Sequence, residues 1–159
     1  TGDVDMGPVC GSDQLATIMG YIEIGKGEGA QLAAGGNRLT ENGMGQGCFV
    51  EPTVFARVQP EMRIAQEEIF GPVLSMQTFR TVDEVIAKAN NTPYGLSGGV
   101  WTDKGAKLFK VTREIRAGVI WANTFNKFDP TSPFGGYKES GMGREGGVEG
   151  LMPYVRLDG

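Results

Sequence analysis

A glutamate and a phenylalanine two residues apart are the side chains of this sequence best suited to holding a ligand. Glu68 and Phe70 lie in the run EEIFGPV at residues 67–73. A carboxylate can accept hydrogen bonds from two vicinal hydroxyls, such as those of a ribose, and the ring could lie against a planar heterocycle. The alternative is an acid at a helix end beside a core phenylalanine. The residues alone leave both interpretations open.

A second candidate is the aromatic loop that follows a short apolar run at residues 119–122. Phe125, Phe128 and Phe134 lie in this loop. In open α/β sheets, ligands gather beyond the carboxyl ends of the strands, where the rings could line an apolar substrate channel. Ordinary packing beneath a long loop explains the same residues equally well.

Other common chemistries find little support in the chain. Histidine is absent, which excludes a Ser-His or Cys-His pair and most zinc sites within these residues. The two cysteines, Cys10 and Cys48, are too few for a disulfide scaffold and indicate a reducing compartment. Cys10 precedes a predicted helix, where a thiolate is favoured, but an incidental thiol is the simpler interpretation. A thiol-dependent activity of Cys10 is kept as an alternative.

One glycine motif resembles a dinucleotide-binding fingerprint but lacks the sequence context that such a fingerprint requires. Residues 141–146 match G-x-G-x-x-G, but they follow a polar loop instead of a strand. Only residues 147–159 remain after them, too few for the rest of a dinucleotide-binding unit. No cofactor fingerprint is therefore assigned there, and no metal site is expected.

Composition limits the class of protein further. The chain has 159 residues, 40% of them hydrophobic, and a net charge of −4, which predicts one folded domain over residues 1–159. The absence of a basic block argues against nucleic acid as a partner. There is no apolar run of about 18 residues for a membrane span and no signal peptide, so we expect a cytoplasmic protein.

Apolar periodicity and capping signals predict strands alternating with helices. Ser12 is the expected cap of the first helix, Thr81 and Glu84 form a capping box for the second, and Gly118 lies just beyond the third. The predicted helices span 13–28, 81–90 and 104–116, with short helical turns at 60–66 and 148–154. The predicted strands span 31–34, 49–58, 73–79, 96–102 and 119–122, and a surface loop spans 37–47. The order predicts an α/β fold with a mostly parallel sheet flanked by helices.

Four segments also carry a family resemblance: EEIFGPV at 67–73, NNTPYGL at 90–96, GVIWAN at 118–123 and PFGGYKESGMGRE at 133–145. Together they resemble the NAD(P)-dependent aldehyde dehydrogenase superfamily, over about residues 5–151. The resemblance implies a partial catalytic domain of that fold. It also implies an enzyme in which a cysteine attacks a small-molecule aldehyde, hydride passes to NAD or NADP, and a glutamate-activated water releases the carboxylic acid.

The resemblance places the chain in the C-terminal part of that catalytic domain. The nucleophilic cysteine, the general-base glutamate and the Rossmann-like cofactor domain would then lie upstream. Cys10 falls outside the family's nucleophile motif, so no catalytic residue is expected here, and the chain alone is expected to be inactive. Which aldehyde is used and the choice between NAD and NADP stay open.

The resemblance further implies roles in cofactor binding. Glu68 matches the acid that bonds the nicotinamide-ribose hydroxyls, and Phe70 matches the ring that packs near the nicotinamide. Gln14 matches a glutamine that reaches the same ribose. Thr17 stands where a basic residue is often found, which is a departure from the family pattern.

Substrate binding is implied for the aromatic loop. Phe128 and Phe134 match positions that line the aldehyde tunnel, with Asn126 beside them. Asn123 resembles a structural asparagine that supports the nucleophile loop.

The C-terminal residues, 153–159, end where the family usually continues into a strand shared with a neighbouring subunit. A homo-oligomeric parent is therefore expected, whereas the oligomeric state of this chain stays open. The same departure motivates an alternative function, a non-catalytic aldehyde dehydrogenase-like module used for assembly or scaffolding.

Overall fold

The structure is a computed structural model that describes residues 4–156. The chain divides into two compact units, residues 1–78 and 79–159. The prediction of one domain over residues 1–159 stays a prediction. Residues 157–159, the end of the predicted C-terminal departure, lie outside the described part.

Within its described residues, 4–78, the first unit contains two helices and five short strands. They are α1 (Ser12–Gly27), β1 (Gln31–Ala34), β2 (Arg38–Leu39), β3 (Phe49–Val50), β4 (Thr53–Ala56), α2 (Arg63–Gln66) and β5 (Val73–Ser75).

Helix α1 forms because apolar residues recur at helical spacing. Leu15, Ile18 and Ile22 are buried in one cluster with Phe55 and Ile64, so one face of the helix covers the sheet. The predicted cap was wrong: Gly11 occupies the N-cap position, and no side chain caps the helix. Ser12 is already the first helical residue, and its hydroxyl contacts Asp13 instead.

The larger sheet of the first unit has the order β1-β4-β5, and β2 pairs antiparallel with β3 in a separate two-stranded sheet. Strands β1 and β4 are antiparallel, whereas β4 and β5 are parallel with Thr53 opposite Val73. Strand β5 is shorter than the predicted 73–79 because β4, its partner, ends at Ala56. The predicted strand at 49–58 forms as two strands, because Pro52 separates β3 from β4. The predicted loop at 37–47 contains β2 and a 3₁₀ turn at Met44–Gln46.

The part of the second unit that the structure describes, residues 79–156, contains three helices and four strands. They are α3 (Val82–Asn90), β6 (Tyr94–Gly95), β7 (Ser97–Val100), α4 (Gly105–Glu114), β8 (Val119–Ala122), β9 (Tyr137–Lys138) and α5 (Gly147–Leu151). A 3₁₀ turn at Met152–Tyr154 follows α5.

The capping box of α3 is confirmed. The hydroxyl of Thr81 accepts a hydrogen bond from the backbone amide of Glu84 at 3.1 Å. The carboxylate of Glu84 in turn accepts one from the amide of Arg80 at 2.7 Å. At the other end, the side chain of Asn90 joins the ends of α3 and α4, because it bonds the carbonyl of Glu114 and the amide of Arg116.

Strands β7 and β8 are parallel, with Ser97 opposite Val119 and Val100 opposite Ala122, and β6 pairs antiparallel with β9. The α/β class is therefore confirmed, with mixed sheets and flanking helices. Gly118 was expected to follow the end of α4, but that helix ends at Glu114 with Ile115 as its C-cap. Glycine is required at 118 for another reason, because a Cβ there would overlap the carbonyl oxygen of Gly135.

Candidate functional site

The segment 67–71 of the first unit joins α2 to β5 and carries the predicted cofactor residues on its surface. Glu68 is exposed, Ile69 is buried in the core at 8% exposure, and Phe70 is 77% exposed. The interpretation of Phe70 as a core residue is thus wrong. A carboxylate and a ring lie on either side of a buried anchor, and both can be reached from solvent.

Phe70 adopts a backbone conformation that bulky residues rarely take. Its φ is 54°, in the left-handed region that costs an L-residue about 1–2 kcal/mol. Because the ring is exposed, its packing cannot compensate for this cost. A strained, exposed aromatic residue is the kind of outlier that accompanies binding sites.

Gln14, the third predicted cofactor residue, contacts the same turn. Its Nε2 donates to the carbonyl oxygen of Ile69 at 2.9 Å and to that of Phe70 at 3.0 Å. The structure therefore brings together Glu68, Phe70 and Gln14 within the first unit. Thr17 is exposed and donates its hydroxyl to the carbonyl of Asp13, inside its own helix.

A charged cluster that sequence reasoning missed fixes the start of this segment. The carboxylate of Glu67 accepts two hydrogen bonds from Arg63, both at 2.8 Å, and one from the hydroxyl of Tyr21 at 2.7 Å. The guanidinium of Arg63 also lies 5.5 Å from the centre of the Tyr21 ring. The opposite charges at i and i+4 were a usable signal for Arg63 and Glu67, whereas nothing marked Tyr21.

The electrostatics of this cluster favour the charged carboxylate. The hydrogen bonds from Arg63 and then Tyr21 lower the pKa of Glu67 to about 2. The hydrogen bond to Glu67 raises the pKa of Arg63 and that of Tyr21. The carboxylate of Glu67 is therefore occupied by hydrogen bonds from Arg63 and Tyr21. The neighbouring Glu68 is the exposed carboxylate of the two.

The predicted substrate residues lie in the second unit, where their rings form a connected series. Trp121 contacts Phe125 at 4.9 Å and Phe128 at 5.5 Å between ring centres, and Phe128 contacts Phe134 at 5.0 Å, all edge to face. Phe128 is nevertheless 59% exposed. The loop thus presents an apolar aromatic surface that is packed on one side and open on the other.

Two asparagines shape this loop. Asn126 is exposed with a φ of 57°, so it turns the chain between two of the rings. Asn123 uses its side-chain amide to bond both the amide and the carbonyl of Thr102, at 2.9 and 3.1 Å. Asn123 directly follows β8, so these bonds hold the chain beyond the end of β7 against the end of β8.

Close backbone contacts hold the loop from the other side. A Cβ placed on Gly118 would lie 1.6 Å from the carbonyl oxygen of Gly135, and one on Gly135 would lie 2.0 Å from that of Gly143. Arg144 folds back and donates to the carbonyls of Gly136 and Gly143, at 2.8 and 2.9 Å. The G-x-G-x-x-G motif at 141–146 takes part in this packing through the carbonyl of Gly143, although a Cβ on Gly141 or Gly143 itself would meet nothing within 4 Å.

The second unit also contains a cleft that the sequence did not indicate. It measures about 360 Å³ and lies between α3, α4 and the end of β7. Its lining is mostly apolar and includes Val85, Val111 and Trp101, together with the side chain of Lys107. The predicted site residues do not line it. Its residues come from three separate elements, so no local pattern could have revealed it.

The remaining candidates are the two cysteines. Cys10 is exposed and Cys48 is partly buried, both as free thiols. Within residues 4–156, no three His, Cys, Asp or Glu side chains are grouped to hold a metal ion. Over the same described range, no helix has the length and apolar character needed to cross a membrane.

Comparison with known proteins identifies the family. The model of the aldehyde dehydrogenase family matches residues 1–158. The chain belongs to this family. A betaine aldehyde dehydrogenase from Staphylococcus aureus, solved in complex with NAD+, is 41% identical and superposes with a TM-score of 0.94 over 97% of this chain. An indole-3-acetaldehyde dehydrogenase from P. syringae, solved as a mutant with NAD+ and IAA, is 44% identical, with a TM-score of 0.92 over 98%.

This chain spans 31% of the length of each of these two relatives. The mixed sheets and flanking helices are accordingly those of part of an aldehyde dehydrogenase.

Proposed function

We propose that this chain is the C-terminal part of the catalytic domain of an NAD(P)-dependent aldehyde dehydrogenase. The parent enzyme would convert an aldehyde to a carboxylic acid through a thiohemiacetal formed on a cysteine outside these residues. The observation that carries the proposal is the pair of exposed side chains, Glu68 and Phe70, held on a strained turn by buried Ile69. The solved relatives that contain NAD+ support the same assignment.

The residues of the first unit fit a nicotinamide nucleotide. Glu68 offers an exposed carboxylate that can accept hydrogen bonds from both ribose hydroxyls. Phe70 offers an exposed ring that can lie beside the nicotinamide. Both amide hydrogens of Gln14 are used by backbone carbonyls, so its Oε1 is the atom that would accept from the ribose. When bound, the nucleotide would supply the hydride acceptor.

The residues of the second unit fit an apolar wall for the substrate. Phe128 and Phe134 pack edge to face at 5.0 Å and would contact the carbon chain of the aldehyde. Asn126 would supply an amide beside them. Asn123 would act indirectly, since its amide holds the backbone at Thr102.

The proposal is tested by replacing Glu68 in the full-length enzyme. Glu68→Gln removes the charge with little change in shape, so we expect hydride transfer to weaken by about 1–3 kcal/mol, the range for a lost charge-assisted hydrogen bond. Glu61→Gln is the matched control, because Glu61 is another exposed carboxylate a few residues earlier in the chain. A turnover number and cofactor affinity equal to those of the wild type in Glu68→Gln would refute the role.

A second test concerns the chain by itself. We propose that it does not oxidise aldehydes, because the nucleophilic cysteine, the general-base glutamate and the cofactor domain of the proposed parent enzyme would lie outside these residues. NAD+ reduction by the purified 159-residue chain above a protein-free blank would contradict this. The full-length enzyme is the positive control. A homo-oligomeric parent and a cytoplasmic location stay predictions.

A further inference from the structure

The segment 67–71 is attached to one face of α1 at both of its ends. Gln14, Ile18 and Tyr21 stand at positions i, i+4 and i+7, which place them on the same side of a helix. Tyr21 bonds the carboxylate of Glu67, at the start of the segment. Ile18 lies so close to Gly71, at its end, that a Cβ there would approach the isoleucine side chain to 2.5 Å.

Gln14 contacts the segment between these two attachments. Only its amide nitrogen carries hydrogens, and backbone carbonyls can only accept. The contacts of 2.9 and 3.0 Å therefore fix the orientation of the amide. They also use both of its hydrogens on two consecutive carbonyl oxygens, those of Ile69 and Phe70.

Such a double contact requires an unusual backbone. Consecutive carbonyls of an extended chain point to opposite sides, so one amide group cannot reach both. The left-handed φ of 54° at Phe70 turns the chain so that both oxygens face α1. The hydrogen bonds of Gln14 and the strained conformation of Phe70 therefore depend on each other.

We propose that Gln14 is a positioning residue of the cofactor site, which holds the turn at Phe70 and thereby directs the Glu68 carboxylate and the Phe70 ring. The contribution of Gln14 through its donor group then exceeds any it makes as a direct ribose ligand. The consequence for catalysis rests on the proposed function, whereas the hydrogen-bonded turn is a property of this chain alone.

Two substitutions separate the donor role from the ligand role. Gln14→Met keeps the length of the side chain and removes donor and acceptor together. Gln14→Glu keeps an acceptor for a ribose hydroxyl but places carboxylate oxygens against two carbonyl oxygens. A positioning role predicts that Glu is at least as harmful as Met, whereas a ligand role predicts that Glu retains the function. Thr17→Val is the matched control on the next turn of α1.

The first measurement is hydrogen–deuterium exchange of the full-length enzyme without cofactor, followed in the peptide that spans residues 67–76. Loss of two hydrogen bonds should speed exchange by about tenfold in both Gln14 variants, with no change in Thr17→Val. Wild-type exchange in Gln14→Glu would overturn the proposal.

The second measurement is steady-state kinetics of the same three variants. We expect the KM for the cofactor to rise at least about fivefold in both Gln14 variants, while the KM for the aldehyde stays at its wild-type value. A rise in both KM values together would indicate general loosening and would overturn the positioning role. A wild-type enzyme that reduces no NAD+ would refute the proposed function instead, and the exchange data would still decide whether Gln14 holds the turn.

Discussion

The contact between Gly118 and Gly135 gives the sharpest test of how the aromatic loop is held. A Cβ at residue 118 would lie 1.6 Å from a backbone oxygen, whereas real Cβ contacts are essentially never under 3.0 Å. The backbone would have to separate by at least 1.4 Å, the difference between these two distances. No side chain can rotate away, and Gly135 is itself packed against the carbonyl of Gly143.

Replacing Gly118 by alanine should therefore destabilise the second unit strongly. Overpacking typically costs 1–3 kcal/mol, and with backbone on both sides we expect about 3 kcal/mol. Gly118 does not have a positive φ, so steric overlap is the cause, with no contribution from backbone strain. The carbonyl of Gly95 accepts the amide hydrogen of residue 118 at 3.0 Å, and this bond would be strained as well.

Urea unfolding followed by tryptophan fluorescence measures this effect in the right place. Both tryptophans, Trp101 and Trp121, belong to the second unit. Gly105→Ala is the matched control, because a Cβ there meets nothing within 4 Å. At the start of α4 it should leave stability unchanged or raise it by up to about 1 kcal/mol. If Gly118→Ala unfolds within about 0.5 kcal/mol of the wild type, the reasoning from close backbone contact is wrong.

Two further predictions concern the free energy of unfolding. The pKa of Glu67 is lowered from 4.5 to about 2, so its stabilising effect is complete above the unfolded value and is lost as pH falls through the folded one. The stability difference between wild type and Glu67→Gln should thus narrow between about pH 5 and about pH 2, and a constant difference in urea unfolding would contradict it. Thr81→Ala should cost about 1 kcal/mol through loss of the cap. Ser12→Ala, which removes no capping bond, should leave the free energy of unfolding nearly unchanged. Equal losses of stability in Thr81→Ala and Ser12→Ala on thermal unfolding would refute the distinction.

The sequence predicted the long elements well because their signals are local. The apolar periodicity that predicted the first helix and the capping box at Thr81 each act within a single helix, and both are confirmed. The errors arise where contacts with residues distant in sequence determine the local structure. Strand β5 stops early because its neighbour β4 is only four residues long, and the need for glycine at 118 depends on Gly135.

The same distinction between local signals and distant contacts applies to the candidate site. The resemblance assigned roles to Glu68 and Phe70, and their exposure in the structure agrees with an accessible site, although the roles themselves stay proposals. Their support could not be predicted, because Tyr21 and Glu67 are 46 residues apart and Gln14 and Phe70 are 56 apart. Nor could the sequence predict a left-handed backbone at Phe70, since a bulky aromatic residue normally disfavours it.

The energies of the turn explain why such support is needed. A left-handed phenylalanine costs about 1–2 kcal/mol, and an exposed ring regains little of this by burial. The two hydrogen bonds from Gln14 contribute about 1 kcal/mol each, which roughly offsets that cost. Without them the turn would relax toward an ordinary backbone conformation while Ile69 stayed buried. Because Glu68 immediately precedes Ile69 and Phe70 follows it, that relaxation would change the direction of both exposed side chains and leave the core intact.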